Sequence, residues 1–379
     1  MLLLYGKLLS YHSDLKLADG YFEKKDLYIQ NDKFADSAET EDDVIIDAEG
    51  MYAIPGLTDI HFHGCVGYDF CDGTEEAILK IAEYQLKNGI TTIVPATMTF
   101  DEPRLEKICR TAAAYESKSG AILCGINMEG PFIACKKKGA QNGKYIHKPD
   151  VEMFRRLQSA SGNLVKLVDI APEEEGSMEF IDALKDEVGI SIAHTTADYD
   201  IANEAYNRGA RHATHLYNAM PPFSHREPGV IGAACDHDNC RVELICDGIH
   251  IHPSVVRTTF KMFGDDRVIL ISDSMMATGL TDGDYSLGGQ PVKVVGNLAT
   301  LESGTIAGSA TNLMDCVRTA VKEMGIPLAS AVKCAAVNSA KSVEIYDQYG
   351  SLETGKIANM VLLDKDLNIE KVLLRGKEV

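Results

Sequence analysis

A unit that recurs through the middle of the chain constrains the fold most: an amphipathic helical run, a glycine, then a short apolar strand. Glu75–Asn88 carries Ile78, Ala82 and Leu86 at helical spacing, stops at Gly89, and is followed by Ile90–Val94. Phe180–Val188 stops at Gly189 and leads into Ile190–His194. Asp200–Arg208 stops at Gly209 and leads into Ala210–His215. A glycine just past a helix supplies the left-handed backbone of a C-cap. Helices alternating with buried strands build a parallel α/β fold. A stretch of about 250 residues of such units suits a (β/α)8 TIM-like barrel. A doubly wound sheet is the alternative.

The ends of the chain read differently. Leu2–Leu9, Asp26–Gln30 and Val44–Asp47 are short β-like runs, with turns at Asn31-Asp32 and Glu49-Gly50. Lys356–Leu363 and Lys371–Val379 again read as strands. The expected division is a barrel over residues 55–345, with residues 1–54 and 346–379 joined in one small β domain. Met1–Lys7 lacks a basic n-region and a small-residue cleavage site, so it reads as a first strand and not a signal peptide. No apolar run reaches the roughly eighteen residues of a membrane span. A net charge of −19 weighs against a general nucleic-acid or anionic-membrane surface. Ten cysteines are scattered without a Cys-x-x-Cys pair, as in a cytoplasmic protein with reduced thiols.

Metal-capable side chains fall where these strands end. His61 and His63 follow Pro55–Ile60, Glu129 follows Cys124–Met128, and His194 follows Ile190–Ala193. His215 follows Ala210–Thr214, and Asp273 follows Val268–Ser272. In a parallel barrel these ends share the face where catalysis is housed. Side chains alternate along a strand, so His61 and His63 point the same way and can hold one ion. Glu129 is suited to be a bridge or third ligand, and neutral imidazoles suit zinc, iron or a similar divalent ion. Such an ion lowers the pKa of a bound water, and Asp273 is placed to take up a proton and pass it to a leaving amine.

Other residues have plainer readings. His212, three residues from His215, is expected to face away and to be structural. Lys166 sits where a carbamylated bridging lysine would, but reads as an ordinary strand lysine because Glu129 can do that work. His215–Pro222 cannot continue as helix through two prolines and reads as a binding loop. Arg226, just beyond it, offers a planar fork for phosphate or carboxylate, or pairs with Glu227. Asp247–His250 ends a strand with His250 on the site face, and Gly304–Ser309, with Ile306, precedes a helical run where backbone N–H groups can meet a ligand.

These segments together resemble the N-acetylglucosamine-6-phosphate deacetylases of the amidohydrolase superfamily. The resemblance rests on Pro55–Gly64, Met128-Glu129-Gly130-Pro131-Phe132, Ala193-His194-Thr195, His215–Met220 with Arg226–Gly229, Asp247–His250 and Ser272-Asp273. It runs from about Ile54 to the C-terminus. It implies a barrel with a small β-sandwich made by both termini. It implies hydrolysis of the acetamide of N-acetylglucosamine 6-phosphate, with another N-acetylhexosamine phosphate or a cyclic amide as alternative substrates. Carried over residue by residue, Glu129, His194 and His215 match the main metal site and His61 and His63 an optional second one. One or two divalent ions follow, with zinc, iron, manganese and cobalt undistinguished. Asp273 matches the acid/base. Asn218, Ala219 (through its backbone), Arg226 and His250 match sugar-phosphate contacts, and Ala140, Gln141 and Ile306 fall in segments expected at the substrate. The resemblance implies a homodimer in which Arg226 reaches the neighbouring subunit's site. Many members of the family this chain resembles have histidine at the position of Gln141, and in single-metal members that histidine helps polarise the acetyl carbonyl. Glutamine carries no positive charge, so a second ion on His61 and His63 is expected to take over that role.

Overall fold

The computed structural model describes residues 2–5, 9–12, 21–24, 26–37, 44–117 and 119–379. Met1 and residues 6–8, part of the expected first strand, lie outside the described residues. Eight strands ring the barrel: β1 (Leu57–Asp59), β2 (Ile90–Ile93), β3 (Ile126–Met128), β4 (Val165–Ile170), β5 (Gly189–Ile192), β6 (His212–Ala213), β7 (Arg241–Ile245) and β8 (Val268–Ile271). β3 to β8 pair in parallel and in chain order. That order excludes the doubly wound alternative, whose strand order reverses at a switch point. β1 pairs in parallel with β2, and an Ala96–Asn127 bridge joins the second strand to the third. The ring closes beyond β8 and β1, where Asp273 N–H donates to His61 O (2.9 Å) and His63 N–H to Ser274 O (2.7 Å).

A helix follows each strand and buries one face. Glu75–Lys87 starts at Thr74, whose hydroxyl accepts from Ala77 N–H, and buries Ala77, Ile78, Ile81, Ala82 and Leu86. Gly209 ends helix Tyr199–Arg208 at φ 133°, a conformation that glycine alone adopts without strain. Gly189 corrects the sequence reading. Its helix already stops at Leu184 with a right-handed Lys185, and Gly189 opens β5 instead. A Cβ there would lie 2.8 Å from Leu167 Cδ2 and 3.0 Å from Lys166 O, so close strand packing is what excludes a side chain.

Both termini build the β domain. One sheet orders 33–35, 27–30, 2–5 and 44–47, and the other orders 377–378, 369–374, 360–363, 52–55, 9–12 and 21–24. Leu27, Ile29, Phe34 and Ile46 of the first meet Ala53, Met360, Leu362 and Leu373 of the second in one buried core. That is a small sandwich, built because the C-terminal strands pair beside Tyr52–Pro55. An unforeseen antiparallel sheet, Gly283–Leu287, Gln290–Val295 and Leu298–Leu301, is inserted after β8. All ten cysteines are free thiols. No helix among the described residues is long and apolar enough to cross a membrane.

Asp59 ties the closing seam of the barrel. It is fully buried and accepts from the Ser272 hydroxyl, the Ser272 amide and the His61 amide. Burial pushes its carboxyl up to about 7, so a neutral amide is a close substitute. Asp59→Ala strands those donors and is expected to lower stability by about 1–3 kcal/mol. Asp59→Asn keeps an acceptor and is expected to lose less. Denaturant melts that rank the two variants the other way would contradict the seam's role.

Candidate metal centre

The donors expected at the strand ends converge at the C-terminal mouth of the barrel. Glu129, just past β3, has Oε1 at 2.8 Å from His194 Nε2 and 3.3 Å from His215 Nε2, and Oε2 at 3.2 Å from His63 Nε2. His194 Nε2 and His215 Nε2 stand 3.1 Å apart. His61 Nε2 is 3.7 Å from Glu129 Oε1 and 3.9 Å from Asp273 Oδ1, and His63 Nε2 is 3.3 Å from Asp273 Oδ1. Two ligand nitrogens sharing a tetrahedral ion at bond lengths near 2.0–2.1 Å stand about 3.3 Å apart, so this spacing fits coordination. The donor atoms of His61, Glu129 and His215 lie within 4.8 Å of one another, as do those of His61, His63 and Asp273. The two groups share His61 and adjoin one another, and His194 Nε2 lies against the first through Glu129 Oε1.

The backbone is bent to achieve this. His194, His215 and Asp273 hold left-handed φ values of 44°, 30° and 50°. L-residues adopt that region at a cost, and such strain concentrates at functional sites. β1 ends at Asp59, so strand alternation is not what brings His61 and His63 together; they leave the strand and turn inward.

A second layer orients the imidazoles. His194 Nδ1 donates to Lys137 O (2.8 Å) and His61 Nδ1 to Glu243 Oε2 (2.9 Å), which leaves both Nε2 atoms free to be donors to a cation. His61 Nε2 is buried without a hydrogen-bond partner, as coordination requires. Gln141 is fully engaged: its Oε1 accepts from Thr99 N–H (2.7 Å) and its Nε2 donates to Glu129 Oε2 (2.8 Å).

The electrostatics call for positive charge. Burial opposes protonation of His63, yet the Asp273 and Glu129 carboxylates beside it push its pKa up to about 10. Burial likewise raises Asp273, but the His63 hydrogen bond and the His61 and His63 charges outweigh it and hold the carboxyl below its ordinary range. A divalent ion satisfies the same carboxylates while leaving the imidazoles neutral as ligands. The residues therefore fit the metal that the sequence implies.

The centre opens into a cavity of about 800 Å³ lined by Asn218, Ala219, His250, Ala140, Gln141 and Ile306, all six expected there. His250 Nδ1 donates to Asp247 Oδ2 (2.7 Å). Burial alone would lower its pKa, but the Asp247 carboxylate raises it above the ordinary histidine value. Arg226 is the exception: it is exposed, outside the cavity lining, and makes no ion pair among the described residues, with Glu227 or otherwise. Gly304–Ser309 precedes the helix Leu313–Lys322, which begins behind Asn312, and Thr305, Ile306 and Gly308 wall the cavity. Lys166 lines a different cavity at the far end of the barrel, away from His61, His63, His194 and His215. His212 is structural, as expected: it is buried one layer beneath the centre, with Nδ1 3.2 Å from Ser191 Oγ and 3.6 Å from Glu243 Oε1.

Sequence reasoning missed three contributors. Glu243 is a fully buried charge in the middle of the apolar strand β7, and that mismatch was the available signal. Lys136, Lys137 and Lys138 line the cavity, and Lys137 Nζ donates to Met220 O (3.0 Å). Gln290, on the inserted sheet, donates to Ala140 O and brings that sheet over the cavity; the Gly288-Gly289 turn between β-like runs marked it.

Comparison with known proteins agrees with this layout. The model of the amidohydrolase family matches residues 52–379. The N-acetylglucosamine-6-phosphate deacetylase of Bacillus subtilis (strain 168) is 40% identical over 329 residues, covering 85% of this chain and 83% of the relative. The N-acetylgalactosamine-6-phosphate deacetylase of Escherichia coli O157:H7 is 30% identical over 326 residues, covering 85% of this chain and 86% of the relative. Among solved structures, a variant N-acetyl-D-glucosamine-6-phosphate deacetylase from Mycobacterium smegmatis, in complex with N-acetyl-D-glucosamine-6-phosphate, superposes with a TM-score of 0.91 at 30% identity, covering 100% of this chain and 98% of that one.

Glu243 generates a prediction. Glu243→Gln removes the anion that orients His61, so metal affinity is expected to fall by about 10–100-fold. Metal content measured at limiting metal reads this directly. Metal held as tightly as in the parent protein would contradict it.

Proposed function

The chain belongs to the amidohydrolase family, and from that premise we infer that it hydrolyses the acetamide of N-acetyl-D-glucosamine 6-phosphate to acetate and glucosamine 6-phosphate, a step of amino-sugar metabolism. One observation carries this reading: Glu129 meets His194, His215 and His63 within 2.8–3.3 Å beneath a cavity whose wall holds a His250 paired to Asp247.

We propose that Glu129, His194 and His215 hold the principal divalent ion and that His61 and His63 hold a second beside it. Zinc, iron, manganese and cobalt all suit this nitrogen and carboxylate set. An ion there supplies Lewis acidity, acidifying water and polarising a carbonyl. Asp273, kept ionised beside His63, accepts a proton from the attacking water and returns it to the departing amine nitrogen. Gln141 spends its amide on Glu129 and Thr99, so in this reading it positions Glu129 and leaves carbonyl polarisation to the second ion. His250, favoured as a cation by Asp247, faces the phosphate together with Asn218 and the Ala219 backbone. Ala140 and Ile306 wall the sugar.

Arg226 fits this scheme through a second subunit. It lies on an exposed loop beside Phe223, which is 50% exposed, while Ile249, next to His250, is 41% exposed. Apolar exposure flanking an unpaired arginine suits a homodimer in which Arg226 completes the partner's phosphate site. Ten free thiols suit a cytoplasmic setting.

Acetate release from a panel of N-acetylhexosamines, with and without the 6-phosphate, tests the reading. N-acetylglucosamine 6-phosphate is expected to give the highest kcat/KM, and removing the phosphate to cost about 100-fold, the worth of two charge-assisted hydrogen bonds. A preference for N-acetylgalactosamine 6-phosphate would move the assignment to the specificity of the Escherichia coli relative. No acetate from any member would overturn it. Asp273→Asn is expected to lower kcat by about 10²–10⁴-fold with the ion at Glu129, His194 and His215 retained; near-normal turnover in that variant would exclude Asp273 as the proton carrier.

A further inference from the structure

At the opposite end of the barrel, the strand starts enclose a cavity of about 500 Å³. Cations gather on its wall: Lys166 on β4, Lys185, Arg211, Arg241 on β7, and Lys341. A net charge of −19 gives no reason to expect this. Elsewhere arginines such as Arg155, Arg156 and Arg208 lie against carboxylates at 2.6–2.7 Å. Lys166, Lys185, Arg211 and Arg241 make no ion pair among the described residues, and Lys341 has only the Tyr346 ring, 4.9 Å away. Asp186, Glu187 and Glu344 also line the cavity, but all three are exposed and Glu187 is taken by Arg155.

The cations oppose one another. Burial, together with the Arg211 guanidinium, brings Arg241 below the ordinary arginine value. Burial does the same to Lys341: the Asp266 carboxylate works against it, but burial with Lys333, Arg241 and Lys356 nearby outweighs that anion. A partly buried guanidinium among like charges is destabilising unless an anion joins it. One further group lacks a partner: His212 lines the cavity, is 3% exposed, and has its Nε2 buried without a hydrogen bond.

We propose that this cavity is a second anion site that takes the phosphate group of a small ligand, separate from the catalytic pocket. Two guanidinium forks and three ammonium groups match the geometry and charge of a phosphate. The volume is that of a small-molecule pocket. The site also has a route to the metal centre. Arg241 and Glu243 lie on the same face of β7, and His212 Nδ1 stands 3.6 Å from the Glu243 carboxylate that holds His61. A ligand against His212 is two side chains from a metal ligand.

Titration calorimetry with inorganic phosphate on the metal-loaded full chain tests this, in a His250→Asn background that weakens the catalytic phosphate subsite. Binding is expected to persist there and to weaken by about tenfold or more in Arg241→Gln and, separately, in Lys341→Met. Without phosphate, Arg241→Gln is expected to melt no lower than the parent, because it relieves repulsion. Glucose 6-phosphate serves as a second probe: tighter binding than inorganic phosphate makes the ligand a sugar phosphate, and equal binding makes it free phosphate. Undiminished phosphate binding in both floor variants overturns the proposal. So does a phosphate-free melt of Arg241→Gln that falls below the parent, since Arg241 would then be a structural cation.

Discussion

A carboxylate buried at the mouth of a barrel is destabilising unless cations or strong donors surround it, and Glu129 is the point on which this molecule turns. It lies between His63, His194 and His215, with the Gln141 amide on its remaining side. Each of those groups comes from a different segment, so the contact is also a register: the ends of β1, β3, β5 and β6 must reach the same level for it to form. Holding three imidazoles to one carboxylate fixes the separation of the donor atoms before any ion arrives. That is the preorganisation that catalysis by a bound ion needs.

The barrel supplies the level, and the strand ends supply the direction. His194, His215 and Asp273 turn through left-handed backbone at the point where their strands stop. Closure between β8 and β1 locks the segment that carries His61 and His63 against the one that carries Asp273. Beneath them Glu243 connects His61 to His212, so the layer of candidate donors rests on a buried polar layer and not directly on the apolar core. Side chains therefore link the layer below to the donors without a strand between them.

Much of this was legible in the sequence, for physical reasons. Period-3.6 helices alternating with apolar strands leave few folds other than a parallel barrel, and the doubly wound alternative fell only once the strand order was known. The donors were found because parallel strands end on one side, a topological rule that needs no side-chain detail. What failed needed three dimensions. Gly189 reads as a C-cap by position, whereas packing against Leu167 sets its identity. His212 reads as facing away from the donors by its offset from His215, and only the geometry shows that it is buried against Ser191 and Glu243. Gln141 reads as a substrate contact, and only the geometry shows its amide committed to Glu129 and Thr99. The inserted sheet interrupts the β/α alternation and so was hidden by the pattern that revealed the rest.

The central claim is that Glu129 is the hub of a metal site that it shares with His194, His215 and the His61-Phe62-His63 turn. Anomalous X-ray diffraction from crystals of the metal-loaded protein, collected above and below the absorption edge of the bound metal, tests it most directly. A peak is expected within coordinating distance of Glu129, His194 and His215, with any second peak beside His61 and His63. A metal peak found elsewhere, for example against Lys166, with none at Glu129, would contradict it.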